Sequence, residues 1–198
     1  MSRIVNGNDP RVQRTRQLLL QAFMDLVREK QNLHGISVQD ITERAHVNRS
    51  TFYAHFEDKY ALVEDWLRGK FQRILAQNLP ASSSLHAGAL ATLLLSVFEF
   101  LALIRQHIRR SDQQFEPLFE QGIQQEIYEL LLRWLTASAP GAQKEKRETT
   151  AQVISWAILG TAAQWSRGEQ TISAQEMVRQ VLPSVIAGLS PLVTVPSR

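Results

Sequence analysis

The chain has 198 residues, 44% of them hydrophobic, with 22 Lys+Arg against 19 Asp+Glu and no cysteine. Such a length supports a buried core in one or two domains, and the apolar content excludes a disordered tail protein. Missing thiols exclude a disulfide framework, a Cys-based zinc site and a thiol nucleophile. Residues 1–79 carry 12 basic against 9 acidic residues and the remainder balances at 10 each, so the whole excess of +3 lies in the N-terminal part. A positive segment beside a neutral one points to a polyanion partner for one domain only.

Helix signals dominate. The first ten residues contain no apolar run of the kind a signal peptide needs, so a cytoplasmic location is expected. Asp9-Pro10 reads as an N-cap followed by proline at the first helical position, where its missing N–H is harmless. Leu19, Ala22, Phe23, Leu26 and Val27 then fall on one helical face, and the helix is expected to run to about Gln31. Ser37-Val-Gln-Asp40 is a near capping box, with Asp where Glu is the stronger choice, and opens a short helix over Val38 to Ala45. His46-Val47-Asn48 interrupts, and a second short helix follows over about Arg49 to Phe56 with Asn48 as its N-cap. Asp58 caps a long helix to about Leu79.

Pro80 to Ser84 reads as a linker. The longest apolar stretch, Ala89 to Ile104, has 16 residues and contains Glu99, short of the roughly 18 a membrane span needs. It is expected to be a buried core helix, with no membrane as partner, and Glu99 is either a surface position or a buried group needing a partner. One or two helices are expected over Phe115 to Ala137. Ala139-Pro140-Gly141 is a break, and Lys144 to Arg167 a long helix with Gly168 as its stop. Ser173-Ala-Gln-Glu176 is a full capping box opening the last helix, where Met177, Val178, Val181, Leu182, Val185, Ile186 and Leu189 form a wide apolar stripe. Pro183 inside it is expected to kink the helix. No segment alternates with period two, so no sheet is expected.

Two short helices joined by a tight turn and braced on both sides make a helix-turn-helix pattern. Phe52 and Phe56, at i and i+4, suit the inner face. Arg49, Ser50, Thr51, Tyr53 and His55 are left outside as donors for phosphates and base edges.

These residues carry a resemblance. Ile41 through Leu62, with Thr51-Phe52-Tyr53, His55-Phe56 and Lys59 to Leu62 at its core, resembles the DNA-binding signature of the TetR/AcrR family of bacterial regulators over about residues 10–65. Ser155 to Gly160, Trp165 to Gly168 and the Ser173 cap resemble more loosely the closing helices of a Firmicutes-type subgroup. The resemblance implies an all-α homodimer. Residues 1–60 would be a three-helix helix-turn-helix DNA-binding domain. Residues 61–198 would be a helical bundle for effector binding and dimerisation, with a connecting helix over about 59–79. It further implies a repressor of a double-stranded, pseudopalindromic operator, released by a small molecule. A related regulator controlled by a protein partner, and a helical interaction or enzyme domain, stand as alternatives.

Carried over position by position, Arg49, Ser50, Thr51, Tyr53 and His55 would face the major groove. Tyr53, Thr51 and Lys59 would mostly hold phosphates, and Gln39 would reach the backbone or a base. Arg14 and Arg16 join them as phosphate candidates from their charge. The family usually places glycine in the turn, where this chain has His46, a residue that tolerates a left-handed backbone better than most.

His34, His46 and His55 are 12 and 9 residues apart, unlike metal-ligand spacing, so no metal is expected. No nucleotide-binding or nucleophile motif is present, so neither cofactor nor catalysis is expected. Phe98, Arg105, Phe119, Trp134 and Trp165 are candidates to line an effector pocket, apolar or aromatic in character, though core packing explains any one of the aromatics equally. Ala157, Gly160, Val181, Val185 and Leu189, small and aliphatic on the last two helices, are candidates for a four-helix dimer interface.

Overall fold

The computed structural model describes residues 9–30, 33, 35–80, 82–107 and 116–196, with backbone alone at 107 and 116–119. Among these residues it is all helical: α1 Pro10–Lys30, α2 Val38–Ala45, α3 Arg49–His55, α4 Lys59–Asn78, α5 Ala87–His107, α6 Glu116–Ser138, α7 Lys144–Arg167 and α8 Ala174–Leu189. The span expected to hold one or two helices is the single helix α6.

Local chemistry sets most ends. Asp9 Oδ1 accepts the Arg11 N–H at 2.8 Å and caps α1. Asp58 Oδ1 accepts the N–H groups of Tyr60 and Ala61, each at 2.8 Å, and caps α4. The two capping boxes reverse their expected ranking. At α2 both halves form. At α8 Ser173 Oγ accepts the Glu176 N–H, but the Glu176 carboxylate lies 2.5 Å from Arg179 instead of reaching back. A neighbouring cation outcompetes a backbone N–H for the longer side chain.

Gly168 ends α7 in an extended conformation, at φ −78° and ψ −174°; the left-handed position is Gln170, at φ 49°. The helix α8 continues through Pro183. Pro183 is exposed, and so is Arg179, whose carbonyl the ring cannot serve, so water can satisfy that oxygen and the helix continues.

Contacts divide the chain into two compact units; one division falls inside α4 between Trp66 and Leu67, and the start of α6, to Leu118, groups with the first unit. In the first unit, Leu19, Phe23 and Leu26 of α1 are buried, as are Ile41 of α2, Phe52 of α3, and Leu62 and Val63 of α4. In the second, α5 packs against α7 and α8. Its Leu90, Leu93, Leu94, Val97 and Phe98 are fully buried, as a core helix requires. Glu99 is exposed and accepts from Gln175 Nε2 at 3.4 Å, so it is a surface residue. The α6–α7 turn is locked by Arg147, whose Nη1 donates to the carbonyls of Ala139 at 3.1 Å and Ala142 at 2.5 Å.

Candidate nucleic-acid interface

The short helix α2 is the anchor of the site. Asp40 accepts the Ser37 N–H and the Ser37 hydroxyl, both at 2.7 Å, and pairs with Lys30 of α1 at 3.1 Å. Those bonds, the Ser37 backbone first, hold its carboxyl down at about 2. Arg44 adds a forked pair to Glu29 of α1, at 2.8 and 2.7 Å.

The turn that follows is a Schellman motif. The His46 N–H donates to Glu43 O at 3.2 Å and the Val47 N–H to Thr42 O at 3.0 Å, with His46 left-handed at φ 54° and ψ 43°. Histidine thus occupies the conformation that favours glycine. Asn48 then starts α3 through its carbonyl, which accepts from Thr51 and Phe52. Its side chain makes no cap bond, contrary to the expected N-cap role.

The helix α3 has 7 residues, a length of roughly 10 Å that fits a major groove about 12 Å wide. Phe52 is fully buried, 5.8 Å from the ring of Phe56. That burial fixes which side faces out. Arg49, Ser50, Tyr53 and Ala54 are exposed, and Thr51 and His55 half-buried. Arg49 Nη2 donates to the Tyr53 hydroxyl at 3.2 Å, with the guanidinium 5.6 Å from the ring centroid. Burial, then the charge of Arg16, lowers the His55 imidazole below its ordinary value, so it is neutral near pH 7 and offers hydrogen bonds rather than a charge.

The remaining candidates sort by what already holds them. Arg14 is exposed near the start of α1. Gln39 is exposed and donates to Glu43 Oε1 at 2.9 Å. Two cations expected to hold phosphates are engaged inside the unit. Arg16 pairs with Asp65 at 2.8 Å, donates to the His55 carbonyl at 3.4 Å and lies 4.5 Å over the Phe56 ring. Lys59 Nζ donates to the carbonyls of Ile36 at 2.9 Å and Leu33 at 3.2 Å, closing the α1–α2 loop. Both brace the motif from behind.

Residues 27–65 match the family described as bacterial regulatory proteins, tetR family. The similarity to the tetR family is carried by the segment that holds α2, the turn and α3. A 75-residue stretch is 39% identical to the uncharacterized HTH-type transcriptional regulator YxbF of Bacillus subtilis strain 168, covering 38% of this chain and 20% of that protein. The match thus spans about a fifth of that relative's length. The likeness in fold extends further. FadR of Bacillus subtilis, solved with stearoyl-CoA, superposes with TM-score 0.53 at 17% identity over 87% of this chain and 98% of that one. Thermus thermophilus FadR, a repressor solved with lauroyl-CoA, gives 0.55 at 19% identity over 88% and 94%.

In the second unit several pocket candidates are packed into the core. Phe98 is fully buried, 5.4 Å from the ring of Trp165. The Trp165 indole donates to Ile172 O at 3.1 Å, and the buried Trp134 donates to Ser83 O at 2.8 Å. Arg105 is half-buried, and the Phe119 side chain lies outside the described residues. The interface candidates differ in exposure. Val185 and Leu189 are buried within the subunit. Ala157 and Gly160 are exposed and Val181 half-buried. Sequence reasoning missed Val153 and Trp156, which are 59% and 48% exposed. Positions 153, 156, 157 and 160 follow helical spacing, which was the signal available.

Proposed function

We propose that the chain is a dimeric transcriptional repressor that holds a pseudopalindromic DNA site and releases it when an apolar small molecule binds. The outer face of α3 carries this reading. Arg49, Ser50 and Tyr53 stand together on a helix short enough for the major groove, over a core that fixes their direction. Thr51 and His55 border that face, and Arg14 and Gln39 supply backbone contacts.

Dimerisation is supported by the exposed apolar line Val153, Trp156, Ala157 and Gly160 on α7, with Val181 of α8 as a further contact. Two copies would set their α3 helices about 34–36 Å apart, one turn of DNA. An apolar effector is supported by the aromatic core of the second unit and by the acyl-CoA bound to two proteins of the same fold. Such an effector must bind better to the conformation that does not fit DNA, weakening both affinities by the same factor.

Selection from random-sequence DNA tests the reading. An enriched inverted repeat whose binding weakens steeply with salt supports it, and a pool without one refutes it. Trp156→Glu should give monomers by light scattering with weaker binding to the full repeat. An unchanged dimer moves the interface elsewhere. Lauroyl-CoA should lower operator affinity by roughly 5- to 150-fold if an acyl chain is the effector.

A further inference from the structure

We infer that Tyr53 is the positioning residue for Arg49, and that the pair reads one guanine in each half-site. This rests on the DNA-binding reading above and names the residue that sets its specificity.

Arg49 is the first residue of α3 and Tyr53 lies one turn on, so the helix brings their side chains to one face. The two are joined by the 3.2 Å bond from Arg49 Nη2 to the Tyr53 hydroxyl, and the guanidinium sits toward the ring face, 5.6 Å from its centroid. Both are exposed, and Tyr53 keeps 47% of its surface. The Phe52 ring also meets the Tyr53 ring, in a T-shaped contact with centroids 5.5 Å apart. Phe52 is itself fully buried in the core, so contacts run from the core to Tyr53 and from Tyr53 to Arg49.

The consequence follows from donor arithmetic. A guanidinium has five N–H donors in a rigid fork, and one bond to Tyr53 leaves a pair of parallel donors for another partner. A parallel pair matches O6 and N7 of guanine, and the first residues of a recognition helix are those that reach base edges. A long arginine side chain ordinarily loses much rotamer freedom on binding. Here the tyrosine restrains it beforehand. The tyrosine hydroxyl accepts from Arg49 and retains its own proton to donate onward. Tyr53 therefore acts on sequence preference, not only on general affinity.

The test is base preference measured position by position for wild type, Tyr53→Phe, Arg49→Ala and the double variant, on pools selected from random DNA. Wild type should select guanine at one position per half-site. Arg49→Ala should abolish that preference, a loss of roughly 5- to 150-fold in discrimination. Tyr53→Phe should relax the same position a few-fold and leave the others intact. The double variant should discriminate there no worse than Arg49→Ala alone. Circular dichroism of Tyr53→Phe should match wild type, since the lost hydroxyl is exposed. Effects at different positions, or losses that multiply in the double variant, overturn the pairing while leaving DNA binding intact. A wild-type pool with no inverted repeat overturns the DNA reading itself.

Discussion

Replacing Arg16 by alanine separates two roles that the sequence alone makes look alike. As a phosphate ligand it would contribute to DNA affinity and little to stability. Its observed contacts point the other way. The pair with Asp65 joins side chains 33% and 24% exposed, so it contributes about 0.2–1 kcal/mol. The guanidinium lies 4.5 Å over the Phe56 ring, worth about 0.5–2 kcal/mol depending on desolvation. The bond to the His55 carbonyl is long at 3.4 Å and sits at the low end of the hydrogen-bond range, about 0.5 kcal/mol. Arg16→Ala should therefore destabilise the first unit by about 1.2–3.5 kcal/mol, less where these terms overlap.

Denaturant unfolding followed by circular dichroism measures that loss. Fluorescence anisotropy on the selected operator, at several salt concentrations, measures the other role. Arg16→Ala should keep the wild-type slope of log affinity against log salt. Arg14→Ala, as the comparison, should keep stability and reduce the slope by about one per lost phosphate contact. In an Asp65→Asn background the stability effect of Arg16→Ala should shrink, because the two share an interaction. An Arg16→Ala protein within about 0.5 kcal/mol of wild type and with a flatter salt slope would refute the bracing role and restore the phosphate one.

Four further outcomes are expected. Asp40→Asn should destabilise by about 1–2 kcal/mol through loss of the capping box. The carboxyl sits at about 2 against an ordinary 3.8, so the benefit is fully present above about pH 4 and fades as pH falls towards 2; acid titration should show wild type and variant converging there. Glu126 behaves oppositely. Burial raises its carboxyl above the ordinary 4.5 despite the bond from Gln72. Between those two values the native state keeps a proton that the unfolded chain has lost, so stability falls as pH rises. Glu126→Gln should melt higher than wild type at pH 7, with the gap closing towards pH 4. His46→Gly should gain about 0.5–1 kcal/mol in denaturant unfolding, since a left-handed residue with a Cβ costs roughly 1–2 kcal/mol and glycine returns part of that in unfolded-state entropy; a loss would mean the imidazole holds a contact. Gly160→Ala should stabilise α7 by about 0.8–1 kcal/mol, because a Cβ there meets nothing within 4 Å, and Gly160→Arg should dissociate the dimer in ultracentrifugation.

What was legible in the sequence is what depends on near neighbours along the chain. The caps at Asp9 and Asp58, the inward Phe52 and Phe56, and the span of α7 all follow from periodicity and short-range hydrogen bonding. Misreadings arose where a group has a choice of partner. Ser-x-x-Glu at residue 173 looked the stronger box than Ser-x-x-Asp at residue 37, yet Arg179 draws Glu176 away while Lys30 reinforces Asp40. Arg16 and Lys59 read as phosphate cations because charge is visible in a sequence, whereas a carboxylate 49 positions along the chain or a loop carbonyl 23 positions back is not.

The same limit explains the last two helices. A stripe as wide as that of α8 signals more apolar surface than one contact needs, but not which part the subunit keeps for itself. Burial decides it: Val185 and Leu189 are taken by the subunit's own core. The surface left over lies on α7, where Val153 and Trp156 offer area while Gly160, with no atom near its Cβ position, offers closeness. Those properties serve different terms of an association. Aromatic and aliphatic area supplies the transfer free energy, and a small residue lets two backbones approach far enough to exclude water from that area. An interface there would depend on both together, so enlarging Gly160 and removing Trp156 should each weaken a dimer, by losing fit in one case and area in the other.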